Sequence, residues 1–171
     1  MKWILFVIVF SFSLTLFADT PPGKQMTDRE IAHKVVVNAS QDKVFELWMS
    51  EEGVKKFLGV SAEIEKKVGG KYFIYFDSKD RQLSTEGAKI LRYEPNSSIS
   101  FEWRGKPEMV EMNVEPFPTW VEIEFEPVGA SKTKVDFHHY GFGKGGTWDQ
   151  AYDFFNNAWK FVLENLVKSF P

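Results

Sequence analysis

Residues 147–168 read TWDQAYDFFNNAWKFVLENLVK, and the spacing of their apolar side chains decides the architecture. Trp148, Ala151, Tyr152, Phe155, Trp159, Val162, Leu163 and Leu166 share one face of a helix of about five turns. Gly145 and Gly146 interrupt the chain just before it, and Thr147 with Gln150 three residues later predicts a capping box at its start. One long helix with so broad an apolar face requires a concave apolar surface to cover.

Residues 61–140 supply that surface. Ile99, Phe101 and Trp103 alternate with Ser100, Glu102 and Arg104. Val121, Ile123 and Phe125 alternate with Glu122, Glu124 and Glu126, and Val135, Phe137 and His139 with Asp136, His138 and Tyr140. Side chains two apart share a strand face, so these strands predict an antiparallel sheet with one apolar and one solvated side. Ala62 and Ile64 alternate likewise with Glu63 and Glu65, Gly69-Gly70 marks a turn, and Tyr72–Phe76 and Gly87–Tyr93 are further strands. The pattern of 72–76 does not assign its facing.

Upstream, Ile31–Val37 is a β-branched strand followed directly by two short helices. Ser40 is placed to cap the first, with Asp42 in its first turn and Val44, Phe45, Leu47 and Trp48 on its apolar face. Ser50 starts the second and Gly59 ends it. The order predicts an α+β helix-grip fold: a curved antiparallel sheet wrapped around a long C-terminal helix, with two short helices after the first strand. The segment Lys106–Pro118, with Met109, Val110, Met112, Val114 and Phe117, has two readings. It is either an apolar loop over a cavity mouth, where Met suits adaptable contact, or a further strand on the alternation of Val110, Met112 and Val114.

The chain's 171 residues suit one domain. Its 17 Phe, 6 Trp and 5 Tyr can fill a solid core or line a cavity. The net charge of −3 and the lack of a Lys/Arg run exclude a nucleic-acid partner. The absence of cysteine excludes disulfides, thiol catalysis and Cys-type zinc sites. Lys2, the apolar run Trp3–Phe17 and Ala18 before Asp19-Thr20-Pro21-Pro22 predict a secretory signal peptide over 1–18, cleaved after Ala18, with an uncleaved anchor as the alternative because Leu16 is not the small residue a cleavage site favours. The run is short for a membrane span, which needs about 20 residues. The mature chain is therefore expected in the periplasm or secreted, without a stable membrane span. Residues 19–28 read as a polar tether and 29–171 as the domain.

These pieces, in this order, resemble the START-like (SRPBCC) superfamily, and within it the branch named for activators of heat-shock protein 90 ATPase. The resemblance rests on Val37-Asn38-Ala39-Ser40 leading into Val44-Phe45-Glu46-Leu47-Trp48, on Val68-Gly69-Gly70, and on Gly87-Ala88-Lys89-Ile90 with Glu94-Pro95. It continues through Ile99-Ser100-Phe101-Glu102-Trp103, Thr133 to Phe142, and Trp148 to Leu166 with the late Trp159. Two departures are Ala158, where the family often has Gly, and the long segment Lys106–Pro118. The resemblance implies a cavity between the long helix and the sheet. It also implies apolar ligands, cyclase activity in some members and chaperone binding in others, without a shared catalytic motif.

Strand parity turns His139 toward that cavity, either as a polar contact to a ligand or as a structural histidine bonded to a neighbouring element. The candidate ligand-binding set is His139, Trp103, Phe101, Phe137, Trp148, Tyr152, Phe155 and Trp159, an aromatic wall suited to an apolar molecule. His33 is expected at the rim, and His138 points opposite to His139, so the pair cannot chelate one ion. Glu122, Glu124 and Glu126 read as a solvated face. No metal, cofactor or catalytic residue is assigned. The expected function is an exported protein holding a small apolar or amphipathic molecule. The alternatives are a cyclase or isomerase using His139 as acid or base, with His33 or Tyr72 as a second group, and an ATPase-activating co-chaperone.

Overall fold

The computed structural model describes residues 20–171; the expected signal peptide lies outside the described residues. Strand β1 (Ile31–Val37) leads into α1 (Gln41–Met49) and α2 (Glu51–Leu58). Then follow β2 (Ser61–Ile64), β3 (Tyr72–Tyr75), β4 (Ile90–Glu94), β5 (Ser98–Trp103), β6 (Thr119–Pro127), β7 (Thr133–Tyr140) and α3 (Thr147–Lys168). Five strands form one antiparallel sheet in the order β1-β7-β6-β5-β4, and β2 pairs with β3 as a separate hairpin. This is the α+β helix-grip fold.

The register explains the core. One inward row crosses the sheet through Ile31, His139, Val121, Phe101 and Ile90, every member essentially without solvent contact. The next runs through His33, Phe137, Ile123, Ile99 and Tyr93. Onto these rows α3 lays Ala151, Phe155, Trp159, Leu163 and Leu166. The Trp159 ring lies 4.6 Å from that of Phe137 and 4.7 Å from that of Trp103. Strand β3 turns Tyr72 and Ile74 inward, which settles the facing of 72–76. Tyr72 stacks on Phe101 at 3.7 Å, and its hydroxyl donates to the Trp48 carbonyl at 3.1 Å.

The short helices start and stop for local reasons, not all of them the expected ones. At α2 the Ser50 hydroxyl accepts the Gly53 N–H at 3.0 Å, and Gly59, at φ 75°, closes the helix by donating its N–H to the Lys55 carbonyl. Ser40 stands at the cap of α1 but makes no capping bond. The Ser40 hydroxyl beside Asp42 holds that carboxyl below its ordinary pKa. The capping box expected at α3 does not form. Gly146 occupies the cap position and Thr147 is already helical, so the Thr147 hydroxyl faces outward and donates to the Glu111 carboxylate.

One further expectation needs correction, and one open reading is decided. The outer sheet face is not solvated along β5 and β6: Ser98, Ser100, Glu102, Trp120 and Glu122 are all buried. Residues 21–24 form a turn that pins Lys24 against Glu102 at 2.6 Å. Glu122 accepts the Trp120 indole N–H at 3.1 Å and faces Arg92 at 3.7 Å. Only Glu124 and Glu126 keep the exposure expected of the glutamate stripe. The segment 106–118 holds a 3₁₀ turn, Val110–Asn113, and no strand. The Asn113 side chain accepts the Gly105 N–H and donates to the carbonyls of Lys106 and Met109, satisfying backbone groups that a strand would have paired. Met109 and Met112 are buried, and Val110 and Val114 face solvent.

Candidate functional site

The face of α3 nearest the end of β5 does not close on the sheet. Phe155, Ala158, Trp159 and Val162 recur at helical spacing there, and the small Ala158 leaves room between larger neighbours. The result is a pocket of about 370 Å³. Phe154 and Phe155 from α3, Trp103 from β5 and Phe76 just past β3 wall it, with Leu58 at the end of α2 and Leu83 and Ser84 from the β3–β4 connection. Arg104, Gly105 and Lys106 complete the rim.

Polar groups near the wall are few and mostly committed. The Ser84 hydroxyl donates to the Arg81 carbonyl at 2.6 Å. The Arg104 guanidinium donates to Asn113 Oδ1 and to the Glu86 carbonyl and lies over the Phe117 ring. Behind the wall, the Trp159 indole N–H donates to His139 Nδ1 at 2.9 Å. Indole is a donor only, so the neutral imidazole carries its proton on Nε2, which has no hydrogen-bond partner among the described residues. Phe142, Phe155 and Trp103 surround the ring. Burial pushes the His139 pKa well below its ordinary value, because charge in so apolar a site is strongly disfavoured.

A family model described as activator of Hsp90 ATPase homolog 1-like protein matches residues 38–170. The chain belongs to that family. Among solved structures, a Mesorhizobium loti protein is 16% identical with a TM-score of 0.64, covering 82% of this chain and 96% of its own. An HSP90 activator from Plasmodium falciparum is 18% identical with a TM-score of 0.63, covering 83% and 94%. The Aha1 dimer from Colwellia psychrerythraea is 19% identical with a TM-score of 0.56, covering 82% and 95%. At such identities these likenesses speak for the fold alone. No curated protein matches the chain by sequence.

In this Aha-type chain the pocket unites three residues of the expected set, Trp103, Phe155 and Trp159. The others lie elsewhere. Phe101 sits beneath Tyr72, and Phe137 beneath Trp159. His139 points inward as its parity requires but lies behind Trp159 instead of on the wall. Trp148 and Tyr152 pack around Phe142 at the start of α3, where Arg29 stacks 4.4 Å over the Tyr152 ring. His33 is half-buried on the inner face, and His138 lies on the outer face between Glu30 and Asp136. Among the described residues no His, Asp and Glu cluster is arranged to hold a metal. Sequence reasoning missed Leu58, Phe76, Leu83, Lys106, Phe154 and Ala158. Phe154 carried a signal as a large apolar residue off the core face of an amphipathic helix, Ala158 as a small residue where the family often has Gly, and Lys106 as the start of the segment read as a loop over a cavity mouth.

Proposed function

We propose that this Aha-type protein is an exported binding protein that holds a small apolar ligand between α3 and the sheet. The pocket itself carries the reading. Its size falls in the range of small-molecule sites, about 300–1,000 Å³, and its walls are almost wholly apolar. A core packed to ordinary density leaves few voids larger than a water molecule. Binding is favoured over turnover because, among the described residues, no acid–base pair lines the pocket. His139 is neutral and screened by Trp159, and burial pushes the Tyr72 phenol up, out of reach of an acid–base role.

Ala158→Phe tests the reading by placing a ring inside the pocket. Nile red should bind the wild-type protein with a blue-shifted emission and should not bind the variant at unchanged thermal stability. Equal emission from both proteins overturns the proposal. Export is tested separately: protein purified from its native host should begin at Asp19, and an intact Met1 on soluble protein would refute it. The family's description supports a second reading, stimulation of heat-shock protein 90 ATPase. If the chain raised that turnover and Ala158→Phe did so equally, the pocket would be incidental to function.

A further inference from the structure

We infer that Lys106 binds the head group of the ligand, and that the ligand is a single-chain amphiphile with an anionic head, carboxylate or phosphate. This rests on the pocket reading above and adds the ligand's charge to it.

Among the described residues the pocket's lining includes two cations, Arg104 and Lys106, and no carboxylate, although the chain as a whole carries a net charge of −3. The two cations are not equivalent. Arg104 is spent on Asn113, the Glu86 carbonyl and Phe117, which turn its guanidinium toward the neighbouring loop. Lys106 is held at its backbone, and its ammonium makes only a cation–π contact with Phe154 and a long ion pair with Glu108. Asn113 grips the Gly105 N–H and the Lys106 carbonyl, at 3.1 and 2.8 Å. The ammonium lies 4.0 Å from the centre of the Phe154 ring, and Phe154 itself lines the pocket. Among the described residues its ion-pair partner is Glu108, at 3.8 Å and largely exposed, a distance that makes no hydrogen bond.

A positive charge on a fixed backbone therefore stands where α3 and the rim meet, over an apolar chamber. An alkyl chain packed along Phe155, Ala158, Trp159 and Val162 would leave its head beside that ammonium. An anionic head replaces the cation–π contact and the distant Glu108 with a direct charge-assisted hydrogen bond. A cationic head is repelled, and a neutral one gains only the apolar contact. Carboxylate and phosphate heads share this chemistry.

Trp103 and Trp159 line the pocket, so intrinsic fluorescence reports occupancy. The full protein would be titrated with dodecanoate, dodecyl phosphate, dodecanol and dodecyltrimethylammonium, each below its micellar concentration. At least one anion should bind about fivefold more tightly than dodecanol, the advantage expected of one partly exposed ion pair. The advantage should shrink with added salt. Lys106→Met should abolish the preference for the anion over dodecanol, and Lys106→Arg should retain it. A preference shared by both anions, or confined to one, identifies the head group. Equal affinity for anionic and neutral probes, or a preference that survives Lys106→Met, overturns this inference and leaves the pocket reading standing. If no probe binds, both fail.

Discussion

Trp159 and His139 form a buried pair in which each ring supplies what the other lacks, a donor for an acceptor. Trp159→Phe keeps most of the bulk but strands His139 Nδ1 and should cost about 1–3 kcal/mol, the penalty for an unsatisfied buried group. His139→Phe should strand the indole N–H at similar cost. The double variant should cost less than the sum by about 1 kcal/mol in urea unfolding; strict additivity would show that the bond contributes nothing. The same histidine also sets a pH dependence. Its folded pKa is depressed, so below about pH 6.5 the unfolded chain binds a proton that the folded chain does not. Its contribution is therefore full above the unfolded pKa and falls as pH falls below it, by at most about 1.4 kcal/mol per pH unit. Between pH 6.5 and 5, wild-type protein should lose stability more steeply than His139→Phe, and parallel curves would contradict the assignment. Parity was enough to turn His139 inward. Its partner was not legible, because twenty residues and a helix-on-sheet crossing separate the two rings.

At the scale of elements, turn chemistry is the most testable part of the fold. Gly141 ends β7 with φ 86°, and a Cβ there would meet the Pro118 carbonyl oxygen at 2.3 Å. Gly129, between β6 and β7, has φ 72° but no atom within 4 Å of a Cβ. Gly129→Ala should cost about 1 kcal/mol, from the left-handed backbone alone. Gly141→Ala should cost distinctly more, about 3 kcal/mol or above, because strain and a backbone clash add. Equal unfolding midpoints for the two variants would refute that difference. The helices themselves were legible from period and punctuation, but two of their caps were not. Ser40 and Thr147 are both capping residues by type, but Ser40 makes no capping bond, and Thr147 gives its hydroxyl to the Glu111 carboxylate on the 3₁₀ turn. A hydroxyl takes the strongest acceptor within reach, and for Thr147 tertiary packing brought that acceptor.

Across the whole molecule, the two faces of the sheet are finished by different means. The inner face is covered by α3. The outer face at β5 is closed by the N-terminal segment, whose Lys24 is nearly inaccessible and pairs with a Glu102 side chain only 10% exposed. Lys24 also donates to the Phe117 carbonyl, joining the segment to the loop before β6. Lys24→Met leaves Glu102 buried without its cation and should cost about 3–5 kcal/mol in chemical denaturation. Adding Glu102→Gln to that variant should recover part of the loss, since a neutral amide tolerates burial better. A Lys24→Met protein as stable as wild type would mean that the segment is not held there in solution. The same scale governs the pocket, whose wall draws on α2, α3, β5 and the β3–β4 connection at once.

The sequence by itself determined the order of elements, the inward and outward parity of β5, β6 and β7, the core face of α3 and the family. Each of these follows from a local period, two along a strand and 3.6 along a helix, which the side chains print directly on the chain. Tertiary structure alone decided which aromatic residues became wall and which became core, that Lys24 reaches Glu102, and that Lys106 stands at the pocket mouth. The physical reason is that a void, a buried ion pair and a cation at a pocket rim are properties of surfaces brought together from distant segments. The period of one segment describes a face; it carries no information about the gap that remains when two faces meet.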